Sequence, residues 1–185
     1  MLRKIYFFLI FCLLSCSSDE QVSIETQFQS EDAMYREAFN ELKAGNYQKS
    51  SDLFNELDLM HPYSRWAAKG QLMSGFALYQ ANKYEEAIFA LNKFINLNPN
   101  DKNLDYAFYL KGYCYYERMN EVSRDQVIAK KAIQTFNELK NKFPTSKYSL
   151  KAVNHIKLLN NQLAGYEMNV GKFYQSRNKF LAAIL

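Results

Sequence analysis

AGNYQKSSDLFNELDLMHP (44–62) and ANKYEEAIFALNKFINLNP (81–99) align without a gap, 37 residues apart. The register pairs Tyr47 with Tyr84, Ser50 with Ala87, Phe54 with Leu91, Leu57 with Phe94 and Pro62 with Pro99. A third copy, AIQTFNELKNKFP (132–144), repeats the small residue, then Phe136, Leu139 and Pro144. Ahead of the second and third copies stand GFALYQAN (75–82) and GYCYYERMN (112–120), with Gly75 and Gly112 again 37 apart. Self-similarity at a fixed period marks a stack of like units, each burying a face against its neighbour.

The residue types say what the unit is. Gly75 and Gly112 lack the Cβ that would hold two helices apart, and Ala87 and Ala132 serve the same purpose on the partner helix. Pro62, Pro99 and Pro144 each end a second helix, because proline has no N–H to donate and clashes with the preceding turn. Paired helices with small residues at the crossing and a closing proline resemble the tetratricopeptide repeat. The expected fold is therefore all-α, a superhelix of antiparallel helix pairs over residues 31–185. The registers predict repeats over about 31–64, 68–101 and 105–146, the third enlarged by roughly eight residues near Glu117 to Ala129. Residues 146–178 read as one long helix or two in line, with Leu150, Val153, Ile156, Leu159 and Leu163 at helical spacing. A fourth, incomplete repeat is predicted over 164–185, with Gly171 and Tyr174 in its first helix. Phe180, Ala183 and Ile184 open its second, where an apolar face stands without its partner. That ending predicts a truncated sequence or an exposed docking edge.

Composition agrees with such a fold. Gly and Pro number 6 and 3 against 14 Tyr and 14 Phe, which favours helices joined by short turns and a strongly aromatic core. Net charge is uneven: residues 16–60 carry −7 and residues 61–185 carry +9. A basic half can indicate nucleic acid, but the export signal described next argues against it. An acidic protein surface or anionic headgroups fit better, and scattered solvated lysines on helix exteriors are the plainer alternative.

The amino terminus reads as an export signal. Arg3 and Lys4 precede an uncharged run, Ile5 to Leu14, too short for a membrane-spanning helix of about 20 residues. After it, Cys16 could be a buried thiol, half of a disulfide or the start of the mature chain. Leu13-Leu14-Ser15-Cys16 resembles a bacterial lipobox, which makes Cys16 the lipidated first residue, residues 1–15 the signal peptide and residues 16–30 a flexible tether. A single helical anchor is the alternative. Ser17 follows where an inner-membrane retention signal would place Asp, so the likeness to lipoprotein sorting implies the outer membrane, on its periplasmic face. With Cys12 removed and Cys16 lipidated, Cys114 alone remains: a buried small apolar residue, with no partner for a disulfide or a metal pair.

Sites of chemistry are sparse. His61 lies in the MHP turn and His155 on the long helix, both read as capping or surface residues. No Gly-rich phosphate loop, HExxH or GxSxG occurs, so no catalytic residue, metal or cofactor is expected. What stands out is aromatic. Tetratricopeptide repeats present positions 2, 5, 9 and 12 of each first helix to their concave groove. Those positions hold Asp32, Tyr35, Phe39 and Leu42, then Lys69, Leu72, Phe76 and Tyr79, then Tyr106, Tyr109, Tyr113 and Tyr116. Two readings stand. The rings pack against adjacent helices, or Tyr35, Phe39, Leu72, Phe76, Tyr79, Tyr106, Tyr109, Tyr113 and Tyr116 line a peptide-binding groove. The excess of Tyr over Phe in the third stripe, and a separate core stripe of Phe108, Leu110 and Tyr115, favour the groove.

The span NYQKSSDLFNELDLMHPYSRWAAKGQLMSGFALYQANKYEEAI with FINLNPNDKNLDYAFYLKGYCYY resembles the BamD family, lipoprotein subunits of the outer-membrane β-barrel assembly machinery. YEMNVGKFYQSRNKFLAAI is similar to that family's fourth repeat. The resemblance implies a non-catalytic scaffold of five repeats, with BamA and other assembly-machinery lipoproteins as partners and unfolded outer-membrane β-barrel proteins as clients. The fifth repeat, and with it the main BamA-docking surface, has no counterpart here. An adaptor for cell-envelope enzymes, built on the same repeats, is the alternative function.

Overall fold

The computed structural model describes residues 30–121 and 126–184. The predicted signal peptide, Cys16 and the tether up to residue 29 lie outside the described residues, as does part of the third-repeat insertion. Among the described residues the secondary structure is entirely helical: α1 (Glu31–Lys43), α2 (Tyr47–Met60), α3 (Ala67–Gln80), α4 (Tyr84–Leu97), α5 (Leu104–Glu121), α6 (Gln126–Lys142), α7 (Lys147–Ser176) and α8 (Phe180–Ile184).

Local chemistry sets the ends. Ser30 Oγ accepts the Ala33 N–H at the start of α1, and Ser146 Oγ accepts the Tyr148 N–H at the start of α7. Within three hairpins the turn holds one residue in the left-handed region: Gly45 (φ 82°), Asn82 (φ 59°) and Asn178 (φ 57°). Glycine and asparagine are the residues that adopt it at least cost. The following N–H then reaches back five residues, Asn46 to Glu41, Lys83 to Leu78 and Lys179 to Tyr174, closing each helix end the same way. The prolines act as expected, α2, α4 and α6 all stopping two residues before one.

The core follows the repeat register. Phe54 and Leu57, Leu91 and Phe94, and Phe136 and Leu139 are all fully buried. Each hairpin thus spends one Phe and one Leu on its central layer, in alternating order, which keeps volume roughly constant along the stack. Close approach makes this possible. A Cβ at Gly75 would lie 2.9 Å from Leu91 Cγ, and one at Gly112 would lie 2.6 Å from Phe136 Cε1, so neither position has room for alanine without displacement. Where the small residue is serine it is hydrogen-bonded: Ser50 donates to the Ala38 carbonyl at 2.8 Å, and Ser51 and Ser74 share a bond of 2.9 Å.

Each second helix packs on the first helices on either side of it, whereas α3 also meets α5, and α5 meets α7, directly. The first helices therefore occupy the inner side of the stack. Across hairpins one and two runs a polar chain: Lys93 Nζ to Asp58 at 2.5 Å, Gln71 Nε2 to Asp58 at 2.7 Å, and Asn98 Nδ2 to Gln71 at 2.8 Å.

Residues 147–176 form one continuous helix of 30 residues rather than two in line. Its amino-terminal half packs on α6 and α5, and its carboxy-terminal half carries α8, with Gly165 between. The buried positions are Ser149, Ala152 and Leu159, supported by Ile156 and Leu163. Leu150 and Val153, expected in this stripe, are instead 69% and 46% exposed. The helix approaches so closely that only small residues fit there, and Ser149 Oγ donates to the Phe143 carbonyl at 2.6 Å.

Candidate functional site

Spacings of three, four and three residues put Tyr106, Tyr109, Tyr113 and Tyr116 on one face of α5, each half-buried with part of its ring in reach of solvent. They belong to a longer run of rings. Tyr79 of α3 meets Tyr113 edge-on at 5.9 Å, Phe76 lies 6.3 Å and Tyr84 6.1 Å from Tyr79. Tyr109 and Tyr113, and Tyr113 and Tyr116, stack at 6.0 and 5.7 Å. From α7, Tyr148 stands 5.2 Å from Tyr106 and 5.3 Å from Tyr109. The result is an aromatic surface continuous across three inner helices.

Hairpin one does not join it. Tyr35 is buried, stacked at 4.3 Å under Trp66 with Lys69 over both rings, and Phe39 is its half-buried neighbour at 6.2 Å. Leu72 is also buried, in the core beneath α5. Of the nine residues expected to line a groove, Tyr35 and Leu72 thus have no surface to offer, and Phe39 belongs to a separate island. Tyr148, Tyr84 and His155, which register-based reading missed, complete the larger one.

His155 is a correction of a different kind. Expected at the surface or as a cap, it lies among Tyr109, Tyr113 and Tyr116 of α5 and stacks on Phe136 of α6 at 5.4 Å. Its Nε2 and the Tyr109 hydroxyl share a hydrogen bond of 3.3 Å, while its buried Nδ1 has no partner. Its placement seven residues after Tyr148, two turns along the same face, was the available signal. Loss of solvent pulls its pKa below the ordinary value, with Glu117 opposing more weakly. The sign follows: below about pH 6.5 the unfolded chain binds the proton that the folded chain resists, so stability falls as pH drops through that value. Replacing His155 with Phe is expected to flatten the urea-denaturation midpoint between about pH 5 and pH 7; an unaltered slope would refute the assignment.

Burial raises the pKa of Tyr79, Tyr106, Tyr109 and Tyr113, so the surface keeps neutral hydroxyl donors. For Tyr113 a hydrogen bond to Glu117 adds to the same effect. Cys114, fully buried behind the stripe, has its thiol pushed up to about 12 by burial and is unreactive. His61 caps α2 through its backbone N–H, 2.9 Å from the Leu57 carbonyl. Among the described residues no three of His, Cys, Asp or Glu converge as metal ligands. The outer side holds a cleft of about 500 Å³ between α2 and α4, where Leu59 and Phe89 stand 79% and 75% exposed. The inner side offers flat rings and hydroxyl donors.

Among the described residues no helix is long and apolar enough to cross a membrane. The family model for YfiO, outer membrane lipoprotein, matches residues 27–185. Outer membrane protein assembly factor BamD of Caulobacter vibrioides is 38% identical over 82% of this chain, and that of Rickettsia prowazekii 35% over 82%. The chain spans 50% and 60% of those relatives' own lengths. The Neisseria gonorrhoeae assembly factor of the same name is 32% identical, over 93% of this chain and 68% of the relative.

Proposed function

The chain belongs to the YfiO family of outer membrane lipoproteins, the family of the BamD assembly factors, and we propose that it is a scaffold of outer-membrane β-barrel assembly. In this reading Cys16 carries the lipid that holds the protein on the periplasmic face of the outer membrane. The repeats bind unfolded outer-membrane proteins and the BamA subunit, passing the former on for insertion.

One observation carries the reading: a tyrosine surface continuous from α3 through α5 to α7, half-exposed and backed by a closed core. Tyrosine gives a large, stiff contact area at low entropy cost, with a hydroxyl for the peptide backbone. An extended strand with alternate aromatic side chains can lay those rings on such a surface. The tether raises the local concentration of the scaffold where the clients arrive.

Tyr109 also bonds His155, so the test uses its outer neighbours. Tyr113→Ala with Tyr116→Ala is expected to weaken binding of an unfolded barrel-protein peptide about ten- to hundredfold, with helicity unchanged by circular dichroism. Unchanged affinity would remove the groove. Protein purified from detergent-solubilised membranes is expected to show lipid on Cys16 by intact mass and to bring down BamA. An unmodified chain would refute the anchor, and cell-wall enzymes without BamA would move the function to an envelope adaptor.

A further inference from the structure

The turns between hairpins lie along one edge of the stack, opposite the left-handed turns within them. Arg65 Nη2, in the α2–α3 turn, stands 3.7 Å from Asp32 Oδ1 in the first turn of α1. Asn98, at the end of α4, donates to Gln71 of α3 at 2.8 Å, and Leu59, Pro62, Tyr63 and Leu97 border one shallow hollow. Ser146, in the α6–α7 turn, donates to Asp105 at the start of α5 at 2.6 Å. The start of α1, the end of the described chain nearer Cys16, therefore belongs to this edge.

Two features mark the edge. Leu59, Met60 and Leu97 are more than half exposed, and Tyr63 is fully exposed. Arg65, Lys102, Lys142 and Lys147 are exposed beside them. The acids of the same turns are engaged within the fold. Asp32 pairs with Arg36 and Arg65, Asp58 is buried beneath Lys93, and Asp101 and Asp105 accept from Asn103 and Ser146. Against the four cations stands Glu31, half-exposed in the first turn of α1.

Apolar side chains projecting beside cations match a bilayer with anionic headgroups. The apolar groups enter the headgroup boundary, tyrosine is enriched at that depth, and each cation near the surface contributes about 1 kcal/mol. The anchor decides between lipid and an acidic protein. Cys16 precedes Ser30 by 14 residues, so a lipid on Cys16 keeps the bilayer within about 50 Å of this edge at all times. We propose that the edge of inter-hairpin turns rests on the anionic phospholipid surface to which Cys16 is anchored. The inference rests on the anchor reading above and adds an orientation to it. Helices α1, α3, α5 and α7 all begin at the bilayer, and the tyrosine stripe of α5 leads from Tyr106 at the lipid to Tyr116 about 15 Å away.

The experiment places one fluorescent label on the lipidated full-length mature chain, reconstituted on vesicles that contain headgroup-level nitroxide lipid as quencher. Cys114 is fully buried, and Cys16 is taken by lipid, so a single added thiol labels alone. Tyr63→Cys puts the label on the edge. Phe89→Cys puts it on an equally open site of α4, about 12 Å along the helix from Leu97. On vesicles of phosphatidylethanolamine with phosphatidylglycerol, the label at 63 is expected to be quenched about threefold or more strongly than the label at 89. Replacing phosphatidylglycerol with phosphatidylcholine is expected to lower quenching at 63 by about half or more. Equal quenching at the two sites overturns the proposal, leaves the anchor standing and gives the exposed side chains to a protein partner. Quenching at 63 that is indifferent to phosphatidylglycerol also overturns it, because the basic turns would then add nothing. A chain that does not float with the vesicles removes the anchor, and the resting edge with it.

Discussion

Phe136→Ala is expected to destabilise the protein by about 3–5 kcal/mol, the usual range for removing a fully buried phenylalanine. Its ring has no exposed surface. It fills the space that Gly112 leaves by lacking a Cβ, lies 6.1 Å from the Tyr109 ring and carries His155 stacked at 5.4 Å. Three helices meet around it: α5 in front, α6 as its own backbone and α7 through His155. None can move inward alone, because Leu139 and Leu159, also fully buried, hold the same layer apart. The void would therefore stay largely open, placing the cost toward the upper part of that range. For a chain of this size the melting temperature should fall by roughly 6–20 °C. A loss under about 1 kcal/mol in urea denaturation would mean that this layer is not closely packed. Because the ring is also the floor under His155, the same variant should bind peptide more weakly even at temperatures where it remains folded.

The second large effect lies in the polar chain of hairpins one and two. Asp58 is 7% exposed and takes hydrogen bonds from Lys93 and Gln71, tying α2 to α4 and α3. Asp58→Ala strands the Gln71 amide, itself 8% exposed, and leaves Lys93 without its counter-ion. Breaking a fully buried pair costs about 3–5 kcal/mol, but the Lys93 side chain is 43% exposed and can recover water, so about 2–3 kcal/mol is expected here. A double-mutant cycle checks the cause. Lys93→Met should cost clearly less in the Asp58→Ala background than in the wild type. Equal costs in the two backgrounds would show that the pair contributes nothing through its contact.

The helical hairpins were legible because their signals are local and repeat at one offset. Phe and Leu alternate in the central layers, small residues mark the crossings, and a proline follows each second helix. The long helix α7 was harder. Its face toward α6 is lined by Ser149 and Ala152, chosen for size, and a reading by hydrophobicity slides one residue to Leu150 and Val153. The positions expected in the groove are half-exposed only where the register alone determines a side chain's surroundings. On α5 it does. In hairpin one, Tyr35 is covered by Trp66, which comes from the turn before α3 and aligns with Asn103 rather than with another aromatic, so the repeat gives no warning of it. Leu72 aligns with Tyr109 but lacks the length to reach past its neighbours to the surface. His155 escaped notice because a lone imidazole on a polar-looking helix carries no pattern; only the tertiary fold brings the rings of Tyr109, Tyr113, Tyr116 and Phe136 around it.

At 30 residues, α7 is a rod about 45 Å long. Side chains clamp it firmly only along its first half. Past that clamp, Gly165 has nothing within 4 Å of where a Cβ would sit, and glycine is the costliest ordinary residue inside a helix. The bearing of everything beyond it, α8 included, thus rests on this joint and on an exposed hydrogen bond of 2.8 Å from Gln126 of α6 to Glu167, which a pull on the far end would have to break before swinging it.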